Sequence, residues 1–243
     1  MEPVLFVLTL ATVAALSAPL GVLPLWRRTA VPATWIGWAN ALAAGLMLGT
    51  AYVIAEAALH ERPGKLAGGA LLGILYIFLT HRASGIEDLD LNRLEGVDPL
   101  YGFRMLFVSG LHGATEGLAI GVAMLEGLPF GALVALAMAV HNVPEAAVLG
   151  SVLRSCGVGP GRTAGLAIAA NVGQILIAVA AFAVVPAVPG LLPWALGFAV
   201  GGLTYLAMSE LLPEAYERAG PTGIALVTSV ATGFVVLARG FVR

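Results

Sequence analysis

The chain has 243 residues, of which 59% are hydrophobic and only 11% are charged, and its formal net charge is −2. Soluble domains carry roughly 25% charged residues, so this composition excludes a soluble enzyme, a disordered chain and a nucleic-acid binder with a basic face. The mean hydropathy of +0.95 indicates an all-α protein that crosses a lipid bilayer several times. Cys156 is the only cysteine, which excludes an intramolecular disulfide and a cysteine-based metal site.

Eight segments are apolar and long enough to cross a bilayer, which takes about 20 residues in a helix. The first segment has no basic residues before it and is too long for a cleaved signal peptide, so we interpret it as a span. Proline and glycine mark the gaps between segments, and 1–243 is predicted to form a single transmembrane domain. The predicted spans are 4–25, 33–58, 66–80, 104–125, 130–153, 163–185, 193–214 and 221–241.

Basic residues are unequally divided between the two sets of connections. Because arginine and lysine favour the cytoplasmic side, the richer set is predicted to lie inside and both termini outside a plasma membrane. The longest connection, 81–103, is predicted to be a solvated acidic loop or a weak collector of cations. Its acidic residues are Glu87, Asp88, Asp90, Glu95 and Asp98. The richer set holds Arg27, Arg28, Arg82, Arg93, Arg104, Arg154, Arg162 and Arg218, and the other holds Arg62, Lys65, Arg239 and Arg243.

Weak internal similarity relates the two ends of the chain. Segments 43–62 and 201–218 share a pattern of tyrosine, glutamate and a final Glu-Arg, and the fourth and fifth spans share the string His-x-x-x-Glu. With eight spans, this favours a 3+2+3 order in which the outer triplets are inverted relative to each other, as is typical of transporters.

Two His-x-x-x-Glu pairs lie where lipid-facing residues would be apolar. His112 and Glu116 in the fourth span, and His141 and Glu145 in the fifth, are each four residues apart and so share one helix face. Ionisable residues inside a membrane are functional candidates. Two such faces opposite each other, with Asn142 beside them, predict an exchangeable site for Zn²⁺, Fe²⁺ or Mn²⁺.

The fifth and sixth spans carry further polar or helix-breaking residues. Pro144 leaves the carbonyl of Val140 without its helical partner, which is tolerated in a membrane where the carbonyl meets protein or a cavity. Asn171 and Gln174 lie three residues apart in an otherwise apolar span. They form either interhelical hydrogen bonds or the third wall of the metal site.

Other polar residues lie along the expected path of an ion. Glu210 and Glu214 share a face near the inner end of the seventh span, where an exit path is predicted. Glu56, near the outer end of the second span, is either a pathway residue or an interfacial carboxylate. Ser109, one turn before His112, is a further pathway candidate.

These motifs resemble those of the ZIP family of divalent metal transporters, in a bacterial subgroup. In that family the fourth span typically reads His-Asn-x-Pro-Glu-Gly, and the fifth reads His-(Asn/Glu)-x-Pro-Glu-Gly. Here residues 112–117 read His-Gly-Ala-Thr-Glu-Gly, and residues 141–146 read His-Asn-Val-Pro-Glu-Ala. Residues 209–215 resemble the acidic-Leu/Ile-Pro-Glu-Ala stretch of the family's seventh span, so the resemblance extends over essentially the whole chain.

The resemblance implies a transporter, not an enzyme, that moves Zn²⁺ (with Fe²⁺, Mn²⁺ or Cd²⁺ as competitors) into the cytoplasm as substrate and holds no cofactor. It places a metal centre between the fourth, fifth and sixth spans. A homodimer in the bilayer is one assembly that we keep open. The residues on motif positions are His112, Glu116, His141, Asn142 and Glu145.

Three departures from the family pattern bear on the centre. Gly113 replaces an asparagine and removes an oxygen ligand, and Asn171 stands where the family often has a glutamate. A centre with a single metal ion is therefore expected. The usual histidine-rich loop before the fourth span is reduced to His81 and acidic residues, so metal sensing by this loop is not expected.

Other functions need motifs that the sequence does not contain. A zinc metalloprotease would need His-Glu-x-x-His, and a rhomboid-type protease would need Gly-x-Ser-Gly. Neither string occurs. A metal-dependent membrane enzyme and a carrier of another solute stay open as alternatives.

Overall fold

The computed structural model describes residues 3–28, 31–60, 62–84 and 99–242. These residues form helices and no β-strand, and eight helical segments are long and apolar enough to cross a membrane. This confirms the predicted all-α membrane fold and the number of spans. We number the spans 1 to 8: Pro3–Trp26, Ala33–Ala57, Pro63–Ala83, Gly102–Glu126, Leu128–Ser155, Pro160–Ala187, Leu192–Arg218 and Pro221–Phe241.

Proline lies in the first turn of most of these helices, where its missing N–H needs no partner. Span 1 contains the α-helices Pro3–Ser17 and Pro19–Val22 and the 3-10 turn Leu23–Trp26; span 2 is followed by the 3-10 turn Ala58–His60. Span 6 contains Pro160–Ala170, Val172–Val184 and the 3-10 turn Val185–Ala187. Span 7 contains Leu192–Leu206, the π-helical segment Ala207–Leu211 and the helix Leu212–Arg218.

The connection predicted as a loop over 81–103 is helical at both ends. The helix of span 3 extends over Pro63–Ser84, and that of span 4 over Pro99–Glu126. His81 and Arg82 form the last turn of span 3, where basic side chains are favoured by the helix dipole. Loss of hydropathy after residue 80 therefore did not mark the helix end. The five acidic residues of this connection lie outside the described residues.

Spans 2, 4 and 5 form the centre of the bundle. In their most apolar stretches 67%, 61% and 56% of the residues are buried, compared with 17% in span 3 and 22% in span 8. The outer span 8 packs closely on the central span 2 through a small residue: a Cβ added at Gly49 of span 2 would lie 2.8 Å from the Cβ of Val235 in span 8. The polar residues of spans 4 and 5 therefore face protein.

Candidate metal site

Spans 4 and 5 pack against each other and bring three of the predicted ligands together. One ligand atom each from Glu116, His141 and Glu145 lies within 4.8 Å of the others, and we call this set the span 4–5 cluster. The His141 Nε2 atom is 3.2 Å from Glu116 Oε1 and 3.7 Å from Glu145 Oε2. The exposed fraction is 0% for Glu116 and 1% for His141, so the cluster lies in the protein interior.

Some buried polar atoms of this cluster have no hydrogen-bond partner among the described residues. Among the described residues, Glu116 Oε2 and His141 Nδ1 have no hydrogen-bond partner, and Glu116 Oε1 has its ion-pair contact with His141 Nε2, inside the cluster. A buried carboxylate without compensation is costly. A divalent cation would compensate it, and one imidazole with two carboxylates is a ligand set that suits Zn²⁺, Fe²⁺ or Mn²⁺.

Ser109 supports the cluster from the preceding turns of span 4. Its hydroxyl donates a hydrogen bond to Glu145 Oε1 across the interface with span 5. This contact holds one carboxylate oxygen in place, which is how groups that touch metal ligands tune a metal site. Ser109, predicted as a pathway residue, therefore lies beside the cluster.

Asn142 is adjacent in sequence to His141, and its amide nitrogen is used in hydrogen bonds between spans. Its Nδ2 donates to the carbonyl of Ala14 at 2.9 Å and to Gln174 Oε1 at 3.0 Å. Both amide hydrogens thus connect span 5 to spans 1 and 6. Gln174 is expected either to form interhelical hydrogen bonds or to line the metal site. The structure shows it in an interhelical hydrogen bond.

Asn171 lies at the break in span 6. Its Nδ2 donates to the carbonyl of Ala167 at 3.0 Å, within the same span. The other departure in sequence, Gly113, faces span 6 as well: a Cβ there would lie 3.5 Å from the backbone N of Gln174. Gly113 thus belongs to a contact between helices rather than to the ligand face.

His112 lies one turn from Glu116 but joins a different group. Its Nε2 is 2.9 Å from Nε2 of His81 and 3.8 Å from Glu210 Oε1, and His81 Nε2 contacts Glu210 directly. We call these three residues the span 3–4–7 cluster; their ligand atoms also lie within 4.8 Å of one another. The predicted unit of two histidines and two glutamates is thus divided. His81 is not among the predicted ligands because the sequence predicts a loop at this position.

Three proteins named as zinc transporters are similar in sequence. A protein of Arabidopsis thaliana is 31% identical over 201 residues, which are 81% of this chain and 32% of the plant protein. The zinc transporter GufA of Myxococcus xanthus is 30% identical over 194 residues, 72% of this chain and 75% of GufA. The chain belongs to the ZIP family.

A more distant relative agrees with this placement. The zinc transporter ZIP13 of Pongo abelii is 26% identical over 148 residues, which cover 59% of this ZIP-family chain and 44% of the relative. No protein-family model matches the sequence. Because the match covers 32% of the plant protein, this ZIP-family chain spans about a third of that relative's length.

Two other predicted pathway residues of this ZIP-family chain, both glutamates, lie close to arginines. Glu214 Oε2 accepts a hydrogen bond from Asn40 Nδ2 at 2.7 Å, and Glu214 Oε1 is 3.1 Å from Arg218 Nη2. At the other end of the bundle, Glu56 Oε2 is 3.9 Å from Arg239 Nε. From the sequence, both arginines are expected in connections between spans. Neither glutamate belongs to the two clusters.

Proposed function

We propose that this protein carries Zn²⁺, with Fe²⁺, Mn²⁺ or Cd²⁺ as competitors, across the plasma membrane into the cytoplasm. The metal is the transported substrate and binds at the span 4–5 cluster. The observation that carries the proposal is the group Glu116, His141 and Glu145, in which Glu116 is fully buried and, among the described residues, its Oε2 has no hydrogen-bond partner. The names of the three relatives support transport of zinc.

The ligand chemistry favours reversible binding of one ion. Two carboxylates neutralise the charge of one divalent cation, whereas a second cation would add uncompensated positive charge in a region of low dielectric constant. No thiolate contributes, and the ligands come from two separate spans. A change in the distance between spans 4 and 5 would therefore alter the coordination and release the ion.

Uptake by proteoliposomes tests the proposal against the alternative of a metal-dependent membrane enzyme. Purified full-length protein should take up radioactive Zn²⁺, and Glu116→Gln or Glu145→Gln should reduce uptake by at least about tenfold, because each removes a charged ligand. Glu217→Gln is the matched control, since Glu217 is exposed at the end of span 7 and belongs to neither cluster. It should keep the wild-type rate.

Three results would contradict the proposal. Folded protein that conducts none of the four ions would exclude metal transport. Metal-stimulated hydrolysis without any ion flux would favour the enzyme instead. Retention of the full rate by both Glu116→Gln and Glu145→Gln would show that the ion takes another path.

A further inference from the structure

We propose that Arg239, Phe130 and Glu56 form a gate that closes the outer end of the ion path, the outer side being that of the predicted orientation. The guanidinium carbon of Arg239 in span 8 lies 3.9 Å from the centroid of the Phe130 ring in span 5. The same side chain also faces span 2, where its Nε atom is 3.9 Å from Glu56 Oε2. We call these three residues the outer gate. Its role rests on the transport function proposed above.

The outer gate connects the ends of three spans through one cation. Phe130 lies in the first turn of span 5, Glu56 in the last turn of span 2, and Arg239 in the last turn of span 8. Phe130 is 1% exposed, and the side chain of Arg239 is 15% exposed. Because a cation stacked on an aromatic ring is attracted more strongly where water is largely excluded, this contact stabilises the closed arrangement of the three spans.

Below the gate, one face of span 5 is apolar and buried as far as the span 4–5 cluster. Phe130, Val134 and Met138 follow one another at four-residue intervals and so share this face, and each is at most 1% exposed. The rise from Phe130 to His141 is about 16 Å along the helix. A hydrated divalent cation cannot cross such packed apolar side chains without a large desolvation cost. An ion that enters from outside therefore needs span 5 to separate from its neighbours at the gate.

The contacts of Arg239 bias the protein toward the state with a closed outer end. Separation of span 5 from spans 2 and 8 breaks the stacking on Phe130, so this interaction stabilises the closed state and not the open one. Removal of an interaction that exists in one of two states shifts the population toward the other. The gate shares no residue with either metal cluster. Substitution of Arg239 should therefore change access from outside while all candidate ligands remain.

The reactivity of a cysteine below the gate tests this role without any transport measurement. In a Cys156→Ala background, Val134→Cys should react slowly in intact cells with a membrane-impermeant methanethiosulfonate, because residue 134 is 0% exposed. Adding Arg239→Gln should raise the rate by about tenfold, since the open population controls access to a buried thiol. Phe130→Leu, which removes the ring and keeps an apolar side chain, should also raise it. Arg239→Lys, which keeps the charge and loses the planar stacking group, should give an intermediate rate.

Matched variants separate opening of the gate from general loosening of the bundle. Arg62→Gln removes a positive charge from an exposed residue at the same end of the bundle and should leave the rate unchanged. Val7→Cys in span 1, also 0% exposed, should stay unreactive when Arg239→Gln is added. An unchanged rate at Val134→Cys with Arg239→Gln, or an equal rise at Val7→Cys, would overturn the gate. The expected labelling pattern in a protein that takes up no metal would instead contradict only the transport function.

Discussion

The glutamates inside the bundle differ in the hydrogen bonds and ion pairs that the protein supplies to their carboxylates. Glu214 and Glu56 each face an arginine, and Glu214 accepts a hydrogen bond from Asn40. Glu116 is fully buried, and among the described residues its ion-pair contact is with His141, which is itself a candidate metal ligand. Since both kinds of glutamate look alike in sequence, only the structure separates carboxylates that are held by protein from one that is available to a cation.

Ser109 offers a test of how a neighbour of a ligand affects binding. Ser109→Ala removes the hydrogen bond to Glu145 and leaves all ligands in place. We expect the dissociation constant for Zn²⁺ to rise by about tenfold, because groups that orient ligands affect metal affinity by roughly 10–100-fold. Competition with a chromophoric chelator measures this constant.

Ser155→Ala is the matched control for this prediction. The Ser155 hydroxyl bonds only to the carbonyl of Val152 within its own helix, at 2.7 Å, among the contacts of the described residues. It should leave the dissociation constant unchanged. An equal effect of both substitutions, or none from Ser109→Ala, would exclude a positioning role for Ser109.

At the level of elements, span 4 has two faces with different tasks. His112 and Glu116 lie on one face, and a row of glycines lies on another, packed against span 6. A Cβ at Gly117 would lie 2.9 Å from the Cα of Gln174, and one at Gly121 would lie 2.8 Å from the Cβ of Ala181. The glycines thus set the separation of spans 4 and 6.

Gly117→Ala should destabilise the protein. The new methyl group would overlap the backbone of span 6, and overpacking of this kind costs about 1–3 kcal/mol. A lower melting temperature in detergent, followed by intrinsic fluorescence, would show the effect. Gly165→Ala on span 6 is the control, because an added Cβ there meets no atom within 4 Å. A melting temperature of Gly117→Ala equal to that of wild type would contradict the close contact.

At the scale of the whole molecule, the packing pairs support the predicted 3+2+3 inverted repeat, which stays a prediction. Exchanging spans 1–3 with spans 6–8, and span 4 with span 5, converts the pair of spans 3 and 7 into spans 8 and 2. The same exchange converts spans 4 and 6 into spans 5 and 1. All four pairs are in contact.

The spans could be predicted from sequence because length and hydropathy decide whether a helix crosses a bilayer. The spacing of His112 and Glu116 also placed them correctly on one helix face. It could not show that His112 meets His81 and Glu210. That contact depends on the length of span 3 beyond its apolar stretch and on the π-helical segment of span 7, neither of which hydropathy or periodicity records.

The orientation in the membrane can be tested at the ends of spans 2 and 5. Positive residues favour the cytoplasm, and Arg154 and Arg162 flank Cys156, so Cys156 should lie inside. An impermeant maleimide should label it only after the membrane is opened. In a Cys156→Ala background, Gly64→Cys places an exposed thiol in the first turn of span 3, on the other side, and should be labelled in intact cells. The opposite labelling pattern would reverse the orientation and, with it, the proposed direction of transport.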